Sequence, residues 1–599
     1  MRAFGIGLIM VLLAVAQAQV DLKTDSRLSK TITAEEMFWP LSDFCKSMTE
    51  TTGLQIRVAK HLEARKVAVL VNDRPAWYLM EKAAEVSNCV WNKTDDGYTL
   101  MQTPAAADLE RRTVDAFEKA RKQGLEDAIN SALASRNADL NKKIARLVDL
   151  RDRYEEARHD RDIAASISKE IANLESEFQR AIIPGLLFGA MSKEHWGRFW
   201  DGDPLKASSD GEADIKLGSD FLAAVGAMRN LPHSHDEPRT DILGGKADLV
   251  YDPELHTVRF PVELNVDGGS FRFLYGLSDH LDSDRFSAAV KTSVYAKSVG
   301  NWAVEKQSSS WDLALDLRRI DSGDDLIEKP DHAQMLDCLK DNGFEYVMDA
   351  FRARLTFWPK LLVRQGTLKE LAESFLISGR VLRIEGKAIV GRRIDAPVLG
   401  RYEIAERQIS PYEAIVAETK GLELDQLANF AQPLSKIQYS SLSADTFIAS
   451  WHRLGEIPQD MWPALRLWAL LTEFQKDRAK SEEGLRKSQM TPVQQANFNR
   501  AALGGSEGIL QALDIQILPV ARTSTEPMIK ALRDEYQGFE PQTVSGMATI
   551  PQGDPNEEND PRPKLPIKVI SWTLEILHQD GTAKYVYSIE RPQKEKAKP

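Results

Sequence analysis

The chain has 599 residues but only ten histidines and three cysteines, and one stretch alone brings imidazoles together: His233-Ser234-His235-Asp236-Glu237. Two imidazoles and a carboxylate (His233, His235, Asp236) are a ligand set that suits zinc. Alternation along a strand would place His233 and His235 on one face. A closed or catalytic site needs a further ligand from elsewhere. His195, His256 and His280 are the candidates, and no spacing selects among them. The flanking Pro232 and Pro238 fit a solvated loop equally well. A second group, Glu194-His195-Trp196 with Asp201 and Asp203, sets carboxylates beside aromatics, as sugar-binding sites do. Aromatics at this spacing also serve as plain core. No H-E-x-x-H, Walker loop or dinucleotide fingerprint occurs, so no cofactor is expected and no catalytic residue is assigned.

The elements that would position such groups follow from the hydrophobic pattern. Arg2, the apolar run Phe4 to Ala16 and the small-residue site Ala16-Gln17-Ala18 read as a signal peptide over residues 1–18. No later run approaches the ~18–20 apolar residues of a membrane span. The expectation is therefore an exported chain, periplasmic or extracellular and soluble, with no integral membrane segment after cleavage. A formal net charge of −12 argues against a nucleic-acid partner.

Residues 29–102 alternate strand and helix signals. Ser29 to Thr33 is β-rich, and Pro40 opens a helix with Leu41, Phe44, Cys45 and Met48 on one face. Leu54 to Val58 and Lys66 to Val71 are strands, and Asn72 to Pro75 leads into a helix bearing Trp77, Met80, Ala84 and Val86. Val90-Trp91 and Tyr98 to Met101 pair around Asp95-Asp96-Gly97. This βαββαββ layout, over "WPLSDFCKSMTETTGLQIRVAKHLEARKVAVLVNDRPAWYLMEKAAEVSNCVWNKTDDGYTLM", resembles the short N-terminal domain of secretins and TonB-dependent receptors. The resemblance implies a periplasmic interaction module rather than an enzyme. No series of alternating barrel strands follows it, and Ala396 to Gly400 matches a secretin pore motif only by chance. Export permits a bridge between Cys45 and Cys89; two buried free thiols fit equally.

The expected fold class is α+β and multidomain. Residues 105–183 read as a helical hairpin that breaks near Arg158 to Arg161. It serves either as a spacer or dimerising coiled coil, the latter giving a homo-oligomer, or as helices packed on their own domain. Pro184-Gly185 is expected to stop it. Residues 184–325 read as a mixed region with a helix near Asp220 to Met228 and a hairpin over Asp267-Gly268-Gly269, while 287–299 and 311–317 lean to strand. Residues 331–391 echo the first module as a degenerate second copy. Residues 396–505 read as helical, 551–566 as a flexible linker and 567–592 as a hairpin over Gln579-Asp580-Gly581. The pattern favours a non-catalytic scaffold or adaptor of the cell envelope with a protein or peptide partner. The alternatives are a secreted hydrolase with a site in 186–325 and a ligand-sensing envelope protein.

Overall fold

The computed structural model describes residues 20–136, 139–229, 242–266, 269–278, 283–304, 314–315, 336, 339–355, 366–370, 373, 379–419, 421–442, 448–450, 461–504, 528–539, 566–578 and 581–592. The fold is α+β, and the chain divides into two compact units, residues 1–117 with 287–406 and residues 118–286 with 407–599. Among the described residues no helix is long and apolar enough to cross a membrane. Residues 1–18 and 551–565 lie outside the described residues, and Pro566 already opens a strand.

The first unit begins with β1 (Thr31–Pro40), α1 (Leu41–Thr52), β2 (Gln55–Val58), β3 (Lys66–Pro75), α2 (Ala76–Val86), β4 (Val90–Lys93) and β5 (Gly97–Met101). Both helices follow a proline that sits at the N-cap. Gly53 ends α1 at φ +77°, a left-handed conformation that glycine adopts without steric cost. β1 pairs antiparallel with β3. β2 runs parallel to β5, and β4 antiparallel to β5, so the second sheet has the order β2-β5-β4.

The same unit continues with α3 (Val294–Val304), β6 (Ala314–Leu315), β7 (Glu345–Ala350), β8 (Gly366–Thr367), β9 (Arg380–Glu385) and β10 (Ala388–Arg393). Residues 339–341 and 368–370 are helical. β6 pairs antiparallel with β8, β7 runs parallel to β10, and β9 antiparallel to β10. The strand pairings of β1 to β5 recur in the same order in β6 to β10. The two sets meet in one sheet, because β7 pairs antiparallel with β3 and gives the order β1-β3-β7-β10-β9.

Strand alternation then divides the core in two. Val67, Val69 and Val71 of β3, with Val347 and Val390, join Leu41, Phe44, Met48, Leu79 and Met80 beneath α1 and α2. Ala68 and Leu70, with Tyr346, Met348 and Ile389, join Leu336, Leu339 and Leu368 on the opposite face.

The second unit contains the helices Leu140–Ala157 and Arg161–Glu177, which form a hairpin clasped by Arg146–Glu170 (3.2 Å) and Arg151–Glu175 (2.9 Å). The helical region 104–183 has an additional break before Asp139, ahead of the expected turn at 158–160. Its apolar residues Leu125, Ile129, Leu147, Leu150 and Ile167 share a core with the strands of this unit, so they are covered within the chain. Pro184 does not stop the helix. A π-turn at Phe178–Ile182 leads directly into the helix Ile183–Gly189, with Pro184 in its first turn, where the missing N–H is harmless.

Five strands form the adjoining sheet in the order 269–278, 257–266, 242–252, 205–208, 215–216. Residues 287–299 are helical rather than strand-like, in Ser283–Lys291 and Val294–Val304. Phe286 and Val290, then Tyr295 and Val299, recur at helical spacing, and the Ser293 hydroxyl accepts from the Ala296 amide at 3.0 Å. At the C-terminal end the expected hairpin is Pro566–His578 with Gly581–Pro592. Met528–Phe539 and Leu485–Arg486 extend it to four antiparallel strands.

Candidate functional site

The metal-like cluster His233, His235 and Asp236 lies outside the described residues, as does His280. The other two imidazoles are engaged in structural roles. The His195 Nδ1 accepts from the Ser192 amide at 3.2 Å, closing a capping box at the start of Lys193–Trp200. His256 is buried, with Nε2 2.9 Å from the Glu118 carboxylate and Nδ1 3.2 Å from the Tyr251 hydroxyl. Among the described residues no three His, Cys, Asp or Glu side chains are arranged to hold a metal ion.

The aromatic group near residue 196 is core packing. Phe199 is fully buried, Trp196 stacks on Phe188 at 5.7 Å, and Trp200 meets Tyr251 edge-on at 5.1 Å. Glu194, Asp201 and Asp203 are exposed around it. One further spacing, Gly504-x-Ser506-x-Gly508, matches the nucleophile-elbow pattern. That pattern requires a strand before the serine, whereas the helix Pro492–Gly504 precedes it, and Ser506 and Gly508 lie outside the described residues.

The bridge between Cys45 and Cys89 is not formed; both are buried free thiols. Cys45 faces the apolar core from α1, and the Cys89 thiol donates to the Ser87 carbonyl at 3.2 Å. Burial pushes each thiol up to about 12, so neither is a thiolate nucleophile at neutral pH. Cys338 lies outside the described residues.

The densest polar constellation was not legible in the sequence. It sits in the first unit, where α2 and α3 pack on the strands of the second copy. The face of β9 and β10 turned to these helices carries Arg383, Glu385 and Arg392, and β7 adds Asp349. On α2, Lys82 reaches Glu85 at 3.2 Å and Glu385 at 2.8 Å. Arg383 bridges the same two carboxylates at 2.5 and 2.6 Å. The Trp302 indole N–H of α3 donates to Glu85 at 2.6 Å, and the Arg383 guanidinium lies over the Trp302 ring, 4.5 Å from its centroid. Burial alone would raise Glu85, but Arg383, Lys82 and the indole outweigh it and hold its carboxyl down at about 2.

Deeper in, Arg380 donates to Asp349 at 2.8 Å, and the Arg393 amide donates to the other Asp349 oxygen at 2.8 Å. Burial raises Asp349, and Arg380, Arg393 and Arg392 offset only part of that. Arg393 forms a two-pronged pair with Asp395 at 2.7 and 2.8 Å. Two flanking clusters complete the belt. Arg65 holds Glu110 at 2.6 Å and the Ser87 carbonyl at 2.9 Å. The fully buried Lys66 ammonium bonds Glu403, reaches Glu406 at 3.2 Å and donates to the Ile404 carbonyl at 2.9 Å.

Chemically this belt fixes geometry. Buried pairs of this kind add little net stability but strongly penalise any other arrangement of the two copies. Arg383 and Glu385 fall at alternate positions of β9, a pattern that by itself fits a solvent face. Only the packing of α2 and α3 across that face shows otherwise. No family model matches the chain, and neither curated proteins nor solved structures give a match.

Proposed function

We propose that this is an exported protein of the bacterial cell envelope that acts as a non-catalytic scaffold, recruiting a protein or peptide partner by strand addition to the edge of its joined sheet. The observation that carries the reading is the sheet order β1-β3-β7-β10-β9, in which ten-residue β1 is a terminal strand. A terminal strand offers unpaired backbone N–H and C=O groups, and pairing with an added strand is a recurrent mode of peptide capture. Register breaks between Ile32 and Ala34 and between Glu36 and Trp39, with exposed Glu35 and Glu36, guard the edge against indiscriminate pairing. The resemblance of residues 29–102 to the short N-terminal domain of secretins and TonB-dependent receptors supports the same reading, as does the signal-peptide pattern of residues 1–18.

The test is photo-crosslinking in cells that express the full chain with Glu36→benzoylphenylalanine, beside Arg57→benzoylphenylalanine on the other sheet. The expected result is one defined envelope partner captured from position 36, on a chain whose mature N-terminus follows Ala18. Capture from position 57 alone would overturn the docking edge, and a chain retained uncleaved in the cytoplasm would overturn export.

A further inference from the structure

We propose that Arg392 is the core of a buried binding site for a small monocarboxylate, at the junction of α2, α3 and β10. The cations of the belt otherwise come with partners: Arg65 with Glu110, Lys82 and Arg383 with Glu85 and Glu385, Arg380 with Asp349, Arg393 with Asp395. Arg392 is only 6% exposed, and among the described residues it pairs with no carboxylate. Its Nη2 lies 3.5 Å from the Tyr295 hydroxyl, a weak contact, and its Nε is buried without any hydrogen-bond partner. The Trp302 and Tyr295 rings lie beside it, with centroids at 5.4 and 5.7 Å. Asp349, which feels the Arg392 charge, is already bonded by Arg380 and the Arg393 amide.

The free edge has a defined chemistry. Nε and Nη2 form the side-on fork of a guanidinium, which matches the two oxygens of a carboxylate. Arg27, Arg352 and Arg393 each use this edge on both oxygens of an aspartate or glutamate, and Arg383 turns it on one oxygen of Glu385. Arg392 presents the same edge with nothing on it. A buried guanidinium without a paired counter-charge is strongly disfavoured, and one carboxylate on this edge would supply it. Aromatic rings beside the guanidinium suit a small planar ligand, and Trp302 is half-buried.

Equilibrium dialysis of the full chain against radiolabelled acetate, at constant ionic strength set with chloride, tests the site. The expected result is saturable uptake of one acetate per chain. Arg392→Lys keeps the charge but has no fork, and should weaken uptake by about tenfold or more. Tyr295→Phe keeps the fork and should retain saturable uptake, which covers the case in which Arg392→Lys does not fold. Uptake that never saturates, uptake unchanged in Arg392→Lys, loss of uptake in folded Tyr295→Phe, or tighter retention of inorganic phosphate than of acetate would each overturn the assignment. Partner capture at β1 is read separately, so failure of one does not decide the other.

Discussion

At the scale of single residues, the belt between the copies makes stability depend on pH in a predictable direction. Glu85 has a folded-state value of about 2 against an ordinary 4.5. A depressed carboxyl contributes stability that is complete above the ordinary value and is lost as pH falls through the folded one. The contribution of Glu85 is therefore lost between about 4.5 and about 2. Glu85→Gln should cost on the order of 3 kcal/mol at neutral pH, because Lys82 and Arg383 lose a buried counter-charge. It should also flatten the acid limb, though not remove it, since Glu385 and Glu406 are lowered too. Denaturant unfolding across pH measures both effects; an acid limb of unchanged slope in the variant would refute the assignment.

At the scale of elements, single backbone approaches decide whether strands and helices meet. A Cβ on Gly97 would lie 2.1 Å from the Gln55 carbonyl oxygen, across the β2–β5 pair. Gly97→Ala should then destabilise the first unit by about 1–3 kcal/mol, through forced separation of the strands. Gly53→Ala meets open space but must hold φ +77°, which costs about 1–2 kcal/mol through backbone strain. Thermal unfolding with hydrogen exchange at residues 55–58 separates the two mechanisms: only Gly97→Ala should lose protection there. These elements were largely legible. Proline before α1 and α2, Gly53 after α1 and Asp95-Asp96-Gly97 before β5 are local signals that act within a few residues. The errors at 184 and 287–299 came from signals with two readings. A proline stops a helix unless the preceding turn widens, and β-branched residues suit a strand unless a capped apolar face finds a core.

At the scale of the whole molecule, the joined sheet has a consequence for cooperativity. β3 and β7 exchange backbone hydrogen bonds from Tyr346 opposite Leu70 to Ala350 opposite Lys66. Opening either copy exposes the edge of the other. Amides of residues 66–71 and 345–350 should therefore exchange with the same protection, as one cooperative unit. Protection of 345–350 lower by more than about tenfold would mean that the copies open separately, since each 1.4 kcal/mol of opening free energy is a factor of ten.

What the amino-acid order determined by itself is the local grammar: which runs are strands or helices, the layout of residues 31–101, and the C-terminal hairpin. Those follow from period, caps and turns, which are interactions between near neighbours. Only the tertiary structure decided that the two sets of strands share one sheet, that a charged strand face is covered, and that among the described residues Arg392 alone in the belt lacks a carboxylate. Each depends on groups hundreds of positions apart, such as Lys66 with Glu403 or Glu85 with Arg383. No local pattern encodes which distant charge a buried side chain will meet.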